Sequence, residues 1–264
     1  LPSFTQTAVM HVKGDLAPVA ELERYLRIFQ SSSPSYLFMA GIENCIYHMD
    51  REGRTEMGKF YRSLQNLWAE LRGMRHLRLL DEEWVGRFGV YGLDCSKIVV
   101  MVDNTGLNGA GLERILRERY HLEMEMCTAD YVVAITSLGD RSEGLKRLAD
   151  ALLEIDRELT DEPEDPDRES DLEWSGRVTS KPEVEMTIYE GLTAGKEPVA
   201  VSDSVGRISG EFVYIYPPGI PIVAPGEMLL PSLVHTIEEY QEMGLSVQGL
   251  ADESGRTIQV VKRP

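Results

Sequence analysis

The chain has 264 residues, enough for one large domain or two ordinary ones, and its hydrophobic content of 42% is sufficient for a buried core. A formal net charge of −17 argues against nucleic-acid binding, which needs a basic face. No apolar run approaches the roughly 20 residues that a membrane-spanning helix requires, so no membrane partner is expected.

Cysteine and histidine usage gives further expectations. The cysteines are odd in number and far apart, at Cys45, Cys95 and Cys127, which suits neither a disulfide framework nor a zinc site and favours a reducing, cytoplasmic compartment. The five histidines never occur with HxH or HxxxH spacing, so no metal is expected. The N-terminus shows no basic region followed by an apolar one, so no signal peptide is expected. The chain begins at Leu1 rather than methionine, which indicates a fragment or a processed product.

The N-terminal part is predicted to be mainly helical. Leu1–Val12 has little periodicity and is compatible with a turn followed by a strand or a short helix. Apolar residues at helical spacing predict a helix over 20–30 and a long helical stretch from Tyr36 to about Leu77. Gly53 and Gly58 interrupt the second pattern, either as kinks or within a short loop between two helices.

The segment between those helices is rich in hydroxyl groups. Ser31, Ser32 and Ser33 stand directly before Pro34. Proline is favoured at the first helical position and serine just before it is a strong N-cap, so we expect Ser33 to cap a helix that Pro34 opens. Hydroxyls and free backbone N–H groups at a helix N-terminus suit an anion such as phosphate. The simpler interpretation is that the serines only cap the helix and form a turn.

Beyond Leu80, strands alternate with helices, which predicts an α/β layer and a domain boundary near residues 78–82. The predicted strands are Ile98–Val102, Leu122–Met126, Tyr131–Ile135, Pro198–Val201, Glu211–Tyr216 and Ile258–Val261. The predicted helices are Leu112–Tyr120, Leu145–Leu159, Thr187–Leu192 and Pro231–Met243. In the second of these helices, one face is apolar and consists of Leu145, Leu148, Leu152 and Ile155.

An acidic segment separates the two groups of predicted elements. Between Asp161 and Glu173 lie eight acidic residues and one arginine, interrupted by two prolines. Such a run is typical of a solvated, largely unstructured loop, which we place over residues 160–174. A binding tail is the alternative interpretation.

Two proline-rich turns follow, at Tyr216–Pro221 and at Pro225-Gly226-Glu227. Three prolines in the first turn fix φ and remove three backbone donors, and Gly219 permits a positive φ. A rigid double turn is a suitable mount for a substrate-facing side chain, although many such turns are purely structural.

Several of these segments resemble the C-terminal part of the bacterial ornithine/lysine/arginine decarboxylases, pyridoxal-phosphate enzymes of the aspartate-aminotransferase fold. The most specific matching blocks are Ser31-Ser32-Ser33-Pro34-Ser35-Tyr36 and Tyr216–Pro221 with Pro225-Gly226-Glu227. Three further segments match: Thr5-Gln6 through His11-Val12, Gly92-Leu93-Asp94 with Lys97, and Gly206–Ser209. All of them occur in the family's order across nearly the whole chain. The resemblance implies that residues 1–80 end the helical large cofactor-binding domain and that 81–264 form a small α/β C-terminal domain.

The resemblance also implies a function. It points to a cytoplasmic lyase of polyamine biosynthesis that binds pyridoxal 5'-phosphate and decarboxylates a small basic amino acid. Arginine is favoured over lysine and ornithine because the chain ends soon after Val261, as in the short forms of the family. A homodimer or higher oligomer is implied, with Ser31, Ser32 and Ser33 reaching the cofactor phosphate of the neighbouring subunit. Glu227 would bind the distal cationic group of the substrate, while Tyr36 and Tyr216 would either line the pocket or pack in the core.

The resemblance further implies what this stretch lacks. In the family, the Schiff-base lysine belongs to a His-Lys pair just upstream of the segment that matches Leu1 to Gln6, and the aspartate facing the pyridine nitrogen lies in the preceding half. Neither Lys13 nor Lys59 stands in that motif. We therefore expect no catalytic residue in this chain, no decarboxylation by the chain alone, and the missing N-terminal part of the same enzyme as a partner.

Two other classes of protein are compatible with these residues. The first is a non-catalytic regulator, a degenerate decarboxylase fragment that binds a partner or a basic amino acid, which the absent lysine favours. The second is a different enzyme of the same fold, such as an aminotransferase, against which the Tyr-Pro-Pro-Gly-Ile-Pro block argues.

Overall fold

A computed structural model describes residues 2–4, 8–87, 89–102, 105–159, 182–216 and 219–263. Three predicted features lie wholly or partly outside these ranges: the Thr5-Gln6 pair, the acidic loop over 160–174, and the Pro217-Pro218 pair of the first turn. The chain divides into two compact units, one of Leu1–Asn66 with Ser137–Leu145 and one of Leu67–Thr136 with Lys146–Pro264. The mixture of helices and sheets confirms the predicted α/β class.

The first unit is built from helices. Helix α1 covers Val19–Phe29, α2 covers Tyr36–Arg51, and α3, which begins in this unit, covers Gly53–Leu71. The described residues before Val19 form no helix or strand, so the expected early element is not observed there. Helix α1 matches the prediction for 20–30, yet it has no buried residue.

The predicted long helix is two helices separated by one residue. Glu52 ends α2 by donating its backbone N–H to the carbonyls of His48 and Met49, and Gly53 opens α3. Glycine has a low helix propensity, which explains a break at this position. The side chains of His48 and Glu56 then bridge the junction, with 2.7 Å between Nε2 and Oε2. The second helix ends at Leu71, earlier than the predicted Leu77.

The second unit contains a four-stranded antiparallel sheet with strand order β1-β2-β4-β3. These strands are β1 (Arg78–Leu79), β2 (Lys97–Met101), β3 (Met126–Cys127) and β4 (Tyr131–Ile135). They are accompanied by helix α4 (Gly109–Tyr120) and by helix α5 (Ser142–Glu158), which begins in the first unit and continues in the second. The predicted strands at 98–102 and 131–135 are confirmed within a residue. The predicted apolar face of α5 is buried at Leu145, Leu148, Leu152 and Ile155.

The predicted strand Leu122–Met126 is wrong over most of its length. His121 follows α4 in the left-handed conformation, with φ of 54°, and the Leu122 N–H donates back to the Leu116 carbonyl at 3.0 Å. This arrangement is a helix C-cap in which the residues just past the helix satisfy its last carbonyls. Leu122 is therefore used by the cap, and β3 begins only at Met126.

The remainder of this unit has two small antiparallel sheets. Strand β5 (Lys196–Ala200) pairs with β9 (Thr257–Val261), and β6 (Val213–Ile215) lies between β7 (Ile220–Val223) and β8 (Val247–Gln248). Helices α6 (Ile188–Thr193) and α7 (Pro231–Glu242) complete it. As predicted, α7 begins at Pro231. A shared core is formed by Val201, Val213, Val223, Leu229, Leu233, Val234, Ile237, Ile258 and Val260.

Candidate functional site

The predicted phosphate-binding serines lie in the first unit, in the irregular segment between α1 and α2. Ser31, Ser32 and Ser33 are all exposed. The backbone N–H of Ser33 donates to Ser31 Oγ at 3.2 Å, a local turn that uses this oxygen as an acceptor. The Ser31 O–H proton stays available, since a hydroxyl donates and accepts at once. The segment therefore presents hydroxyl donors of the kind that phosphate oxygens accept.

The expected cap at Ser33 is wrong. Helix α2 begins at Tyr36, and Ser35 is its N-cap, with its hydroxyl accepting from the Phe38 N–H at 3.5 Å. Pro34 thus precedes the cap instead of opening the helix. The φ that the proline ring fixes also suits extended backbone, so Pro34 need not be helical. Ser35 supplies a capping hydroxyl two residues after Ser33, and the helix begins directly after it.

The predicted substrate carboxylate, Glu227, lies in the second unit on the turn between β7 and α7. Its Oε2 accepts from the Ala224 N–H at 2.7 Å, and its own N–H donates to the Ala224 carbonyl at 3.2 Å. The turn is closed by both bonds, so the half-buried carboxylate is held in one orientation. A carboxylate oxygen has two acceptor directions, so Oε2 can keep this bond and still meet a ligand.

Two neighbouring segments hold the Glu227 turn by backbone hydrogen bonds. On one side, the N–H groups of Glu185 and Met186 donate to the Gly226 carbonyl at 2.9 and 3.1 Å. On the other side, Ser209 exchanges bonds with the turn: its N–H donates to the Glu227 carbonyl and its carbonyl accepts from Gly226, both at 2.8 Å. The carboxylate is therefore mounted on a rigid frame, which is what precise recognition of a charged group needs.

Gly226 allows this frame to close. Its φ is 90°, in the left-handed region that glycine adopts without strain. A Cβ at this position would lie 2.4 Å from the Met186 carbonyl oxygen and 3.0 Å from that of Thr187. The glycine of the Pro-Gly-Glu turn is thus required by backbone conformation and by close approach together.

The two predicted pocket tyrosines are exposed. Tyr36, the first residue of α2, is 84% exposed, and Tyr216, which follows β6, is 59% exposed. Neither ring is buried within this chain. Tyr216 leads into the first proline-rich turn, where the Gly219 N–H donates to the Ile215 carbonyl at 2.9 Å. Pro221, expected in the turn, already lies in β7.

Two other segments of the resemblance have a local structural role. The Arg207 guanidinium donates to Glu197 Oε1 at 2.6 Å and to the Val261 carbonyl at 3.0 Å. Asp94 accepts from the Ser96 hydroxyl and N–H, which holds the pKa of its carboxyl below the usual range, and Lys97 lies 3.4 Å from it. Both segments thus stabilise their own surroundings.

The structure brings Glu227 together with Ser209, from the matching block Gly206–Ser209, and with residues that the sequence did not single out, namely Ala224, Glu185 and Met186. The serines and Tyr36 belong to one unit, and Glu227 and Tyr216 belong to the other. A separate cavity of about 450 Å³ in the second unit contains none of the predicted site residues and is lined by Gly73, Arg75, His76, Leu153, Asp156 and Arg157. Within the described ranges, no helix could cross a bilayer and no cluster of His, Cys, Asp or Glu could hold a metal.

Comparisons with known proteins agree with the resemblance. Residues 178–254 match the model of the family "Orn/Lys/Arg decarboxylase, C-terminal domain". An arginine decarboxylase of Halalkalibacterium halodurans is 30% identical over 98% of this chain and 52% of its own length, and one of Bacillus subtilis is 27% identical over the same shares. The chain spans about half the length of the curated relatives it matches.

A solved structure shows the same fold. The lysine decarboxylase LdcF of Francisella novicida superposes with a TM-score of 0.71 over 99% of this chain and 48% of that one, at 18% identity. The family-model match, the full-length similarity and the shared fold lead to one conclusion. Over its length the chain is similar to part of bacterial arginine decarboxylases and shares the fold of a lysine decarboxylase, and its residues 178–254 match the C-terminal domain model of the Orn/Lys/Arg decarboxylases.

Proposed function

We propose that this chain is part of a pyridoxal 5'-phosphate-dependent decarboxylase of basic amino acids, and that the intact enzyme converts arginine to agmatine and CO₂. The observation that carries this proposal is the clamped carboxylate of Glu227, supported by the relatives named arginine decarboxylase. When bound, the cofactor supplies the electron sink for loss of CO₂.

Glu227 would recognise the distal end of the substrate. A guanidinium presents two parallel N–H groups, which a carboxylate with fixed orientation accepts as a bidentate pair. The bond from Ala224 and the frame around Gly226 hold the carboxylate before the ligand arrives, so little ordering remains to be done on binding. We also assign substrate-binding roles to Tyr36 and Tyr216, because each presents an exposed aromatic ring with a polar tip.

Ser31, Ser32 and Ser33 would hold the cofactor phosphate, which in a homodimer is that of the neighbouring subunit. The exposed hydroxyls fit a phosphate group, because each can donate to one of its oxygens. The lysine that carries the cofactor would come from the N-terminal part of the same enzyme. Free thiols at Cys45, Cys95 and Cys127 agree with a reducing, cytoplasmic location.

The first unit presents apolar surface that agrees with such a partner. Helix α1 has no buried residue, although Tyr25, Ile28 and Phe29 are large and apolar, and Phe29 is 80% exposed. An apolar patch of this kind marks a protein interface. We assign it to the remainder of the same enzyme or to a second copy.

The test uses the full-length parent protein, with CO₂ and keto acid measured from arginine, lysine and ornithine. We expect CO₂ from arginine in preference to the other two, and no CO₂ from this chain by itself. Keto acid in place of CO₂ would identify an aminotransferase. Binding of arginine without either product, in a cofactor-loaded parent, would identify a non-catalytic regulator.

A further inference from the structure

A second glycine lies against the Glu227 turn. Gly191 is a buried residue of α6, and a Cβ placed on it would lie 2.5 Å from the Gly226 nitrogen and 2.8 Å from the Pro225 carbonyl carbon. Both of those atoms are backbone, so neither can rotate away. Any side chain at position 191 must therefore move α6 or the turn.

Helix α6 is fixed at its start, so it resists this movement. Thr187 and Glu190 form a capping box: the Thr187 N–H donates to Glu190 Oε2 at 2.8 Å, and the Glu190 N–H donates to Thr187 Oγ1 at 3.2 Å. The carbonyls of Met186 and Thr187 also lie against Gly226. The helix and the segment leading into it thus enclose Gly226 from two directions.

We propose that Gly191 is a positioning residue that sets where the Glu227 carboxylate lies, and thereby how tightly the distal cationic group of the substrate is held. This inference rests on the proposed function of Glu227. The link is direct: Gly226 is the residue before Glu227, and its nitrogen, the atom nearest to position 191, also donates to Ser209. Pushing this nitrogen displaces the carboxylate from its bond with Ala224. A glycine within a helix is the sequence signal for such a close approach.

The experiment compares Gly191→Ala with Gly195→Ala in the full-length parent, using KM and kcat for arginine decarboxylation. Gly195 lies just past α6, and its added Cβ would meet only the Lys262 side chain at 3.8 Å, an ordinary contact. We expect Gly191→Ala to raise KM about tenfold with a smaller change in kcat, because displacement weakens a charge-assisted bond. Gly195→Ala should leave both constants unchanged.

A double-mutant cycle with Glu227→Gln separates the possible failures. If Glu227→Gln itself leaves KM unchanged, the proposed function of Glu227 fails. If Glu227→Gln raises KM and Gly191→Ala does not, only the role of Gly191 fails. When both raise KM, the double variant should be no worse than Glu227→Gln, because Gly191 acts through that carboxylate. Full additivity of the two effects would overturn the inference.

A third variant covers the case in which Gly191→Ala does not fold. Thr187→Val removes one half of the capping box and loosens α6 without adding bulk against the turn. We expect it to raise KM roughly threefold with kcat retained. An unchanged KM in a variant whose thermal melting shows a weakened fold would overturn the inference.

Discussion

The buried carboxylate of Asp156 gives the sharpest stability prediction. Asp156, on α5, is only 4% exposed, and its Oδ1 accepts from the N–H groups of His76 and Leu77, both at 2.8 Å. The Arg75 N–H lies 2.9 Å from Oδ2. The side chain thus replaces the backbone partners that the chain lacks between the end of α3 and the start of β1.

The magnitude follows from burial. Asp156→Ala leaves the N–H of the buried Leu77 without its acceptor, which costs about 1–3 kcal/mol, and removes two half-buried bonds to a charged group. We expect a total loss of about 3 kcal/mol in the free energy of unfolding. At roughly 2–4 °C for each kcal/mol, the melting temperature should fall by about 6–12 °C.

Urea unfolding of the purified protein measures this loss, and Asp150→Ala is the matched control. Asp150 lies on the same helix, but it is exposed, and among the residues that the structure describes it pairs with Lys146 alone, so its loss should cost less than about 0.5 kcal/mol. Asp156→Asn keeps one acceptor oxygen, so its loss in the free energy of unfolding should lie between those of Asp156→Ala and Asp150→Ala. Equal effects of Asp156→Ala and Asp150→Ala would refute the assignment of Asp156 as a buried backbone cap.

Two further predictions concern the cofactor and pH. In the full-length parent, Ser31→Ala and Ser33→Ala should each raise the Kd for pyridoxal 5'-phosphate about tenfold in equilibrium dialysis. The control Ser35→Ala removes the α2 cap and should leave this Kd unchanged. An unaltered Kd in the first two variants would count against the phosphate role. Bonds from Ser254 and then Thr257 hold the pKa of the Asp252 carboxyl well below its usual 3.8. A carboxyl whose pKa is lowered in the folded state stabilises the fold above pH 3.8, and this contribution is lost as the pH falls further. The stability difference between the parent and Asp252→Asn in acid unfolding should therefore shrink below about pH 3.8. A difference that stays constant with pH would refute this prediction.

Local patterns predicted the elements well where the signal lies within a few residues. The β-branched run at 98–102 and the apolar spacing of α5 correspond to β2 and to a buried helix face. The same kind of rule failed at Ser33, because Ser33 and Ser35 both suit a cap and the chain uses the second. It failed again at Leu122, because the cap of α4 extends past the helix into residues that read as a strand.

The hydrogen bonds that hold the Glu227 turn in place could not be predicted from local sequence. Its carboxylate was found through the resemblance, and the Pro-Gly-Glu turn is visible in the chain. The frame is non-local, since the bonds come from Glu185, Met186 and Ser209, which lie far from the turn along the sequence. Only the folded chain shows that α6 approaches the turn closely enough to require glycine at 191.

The central claim is that the Glu227 carboxylate binds the cationic end of a basic amino acid. Its most direct test is the KM for arginine of Glu227→Gln in the full-length parent, with Glu253→Gln, an exposed residue of the same unit, as the charge-matched control. Loss of a charge-assisted bond should raise KM roughly 10- to 100-fold for Glu227→Gln, with no change for Glu253→Gln. An unchanged KM for Glu227→Gln would contradict the account.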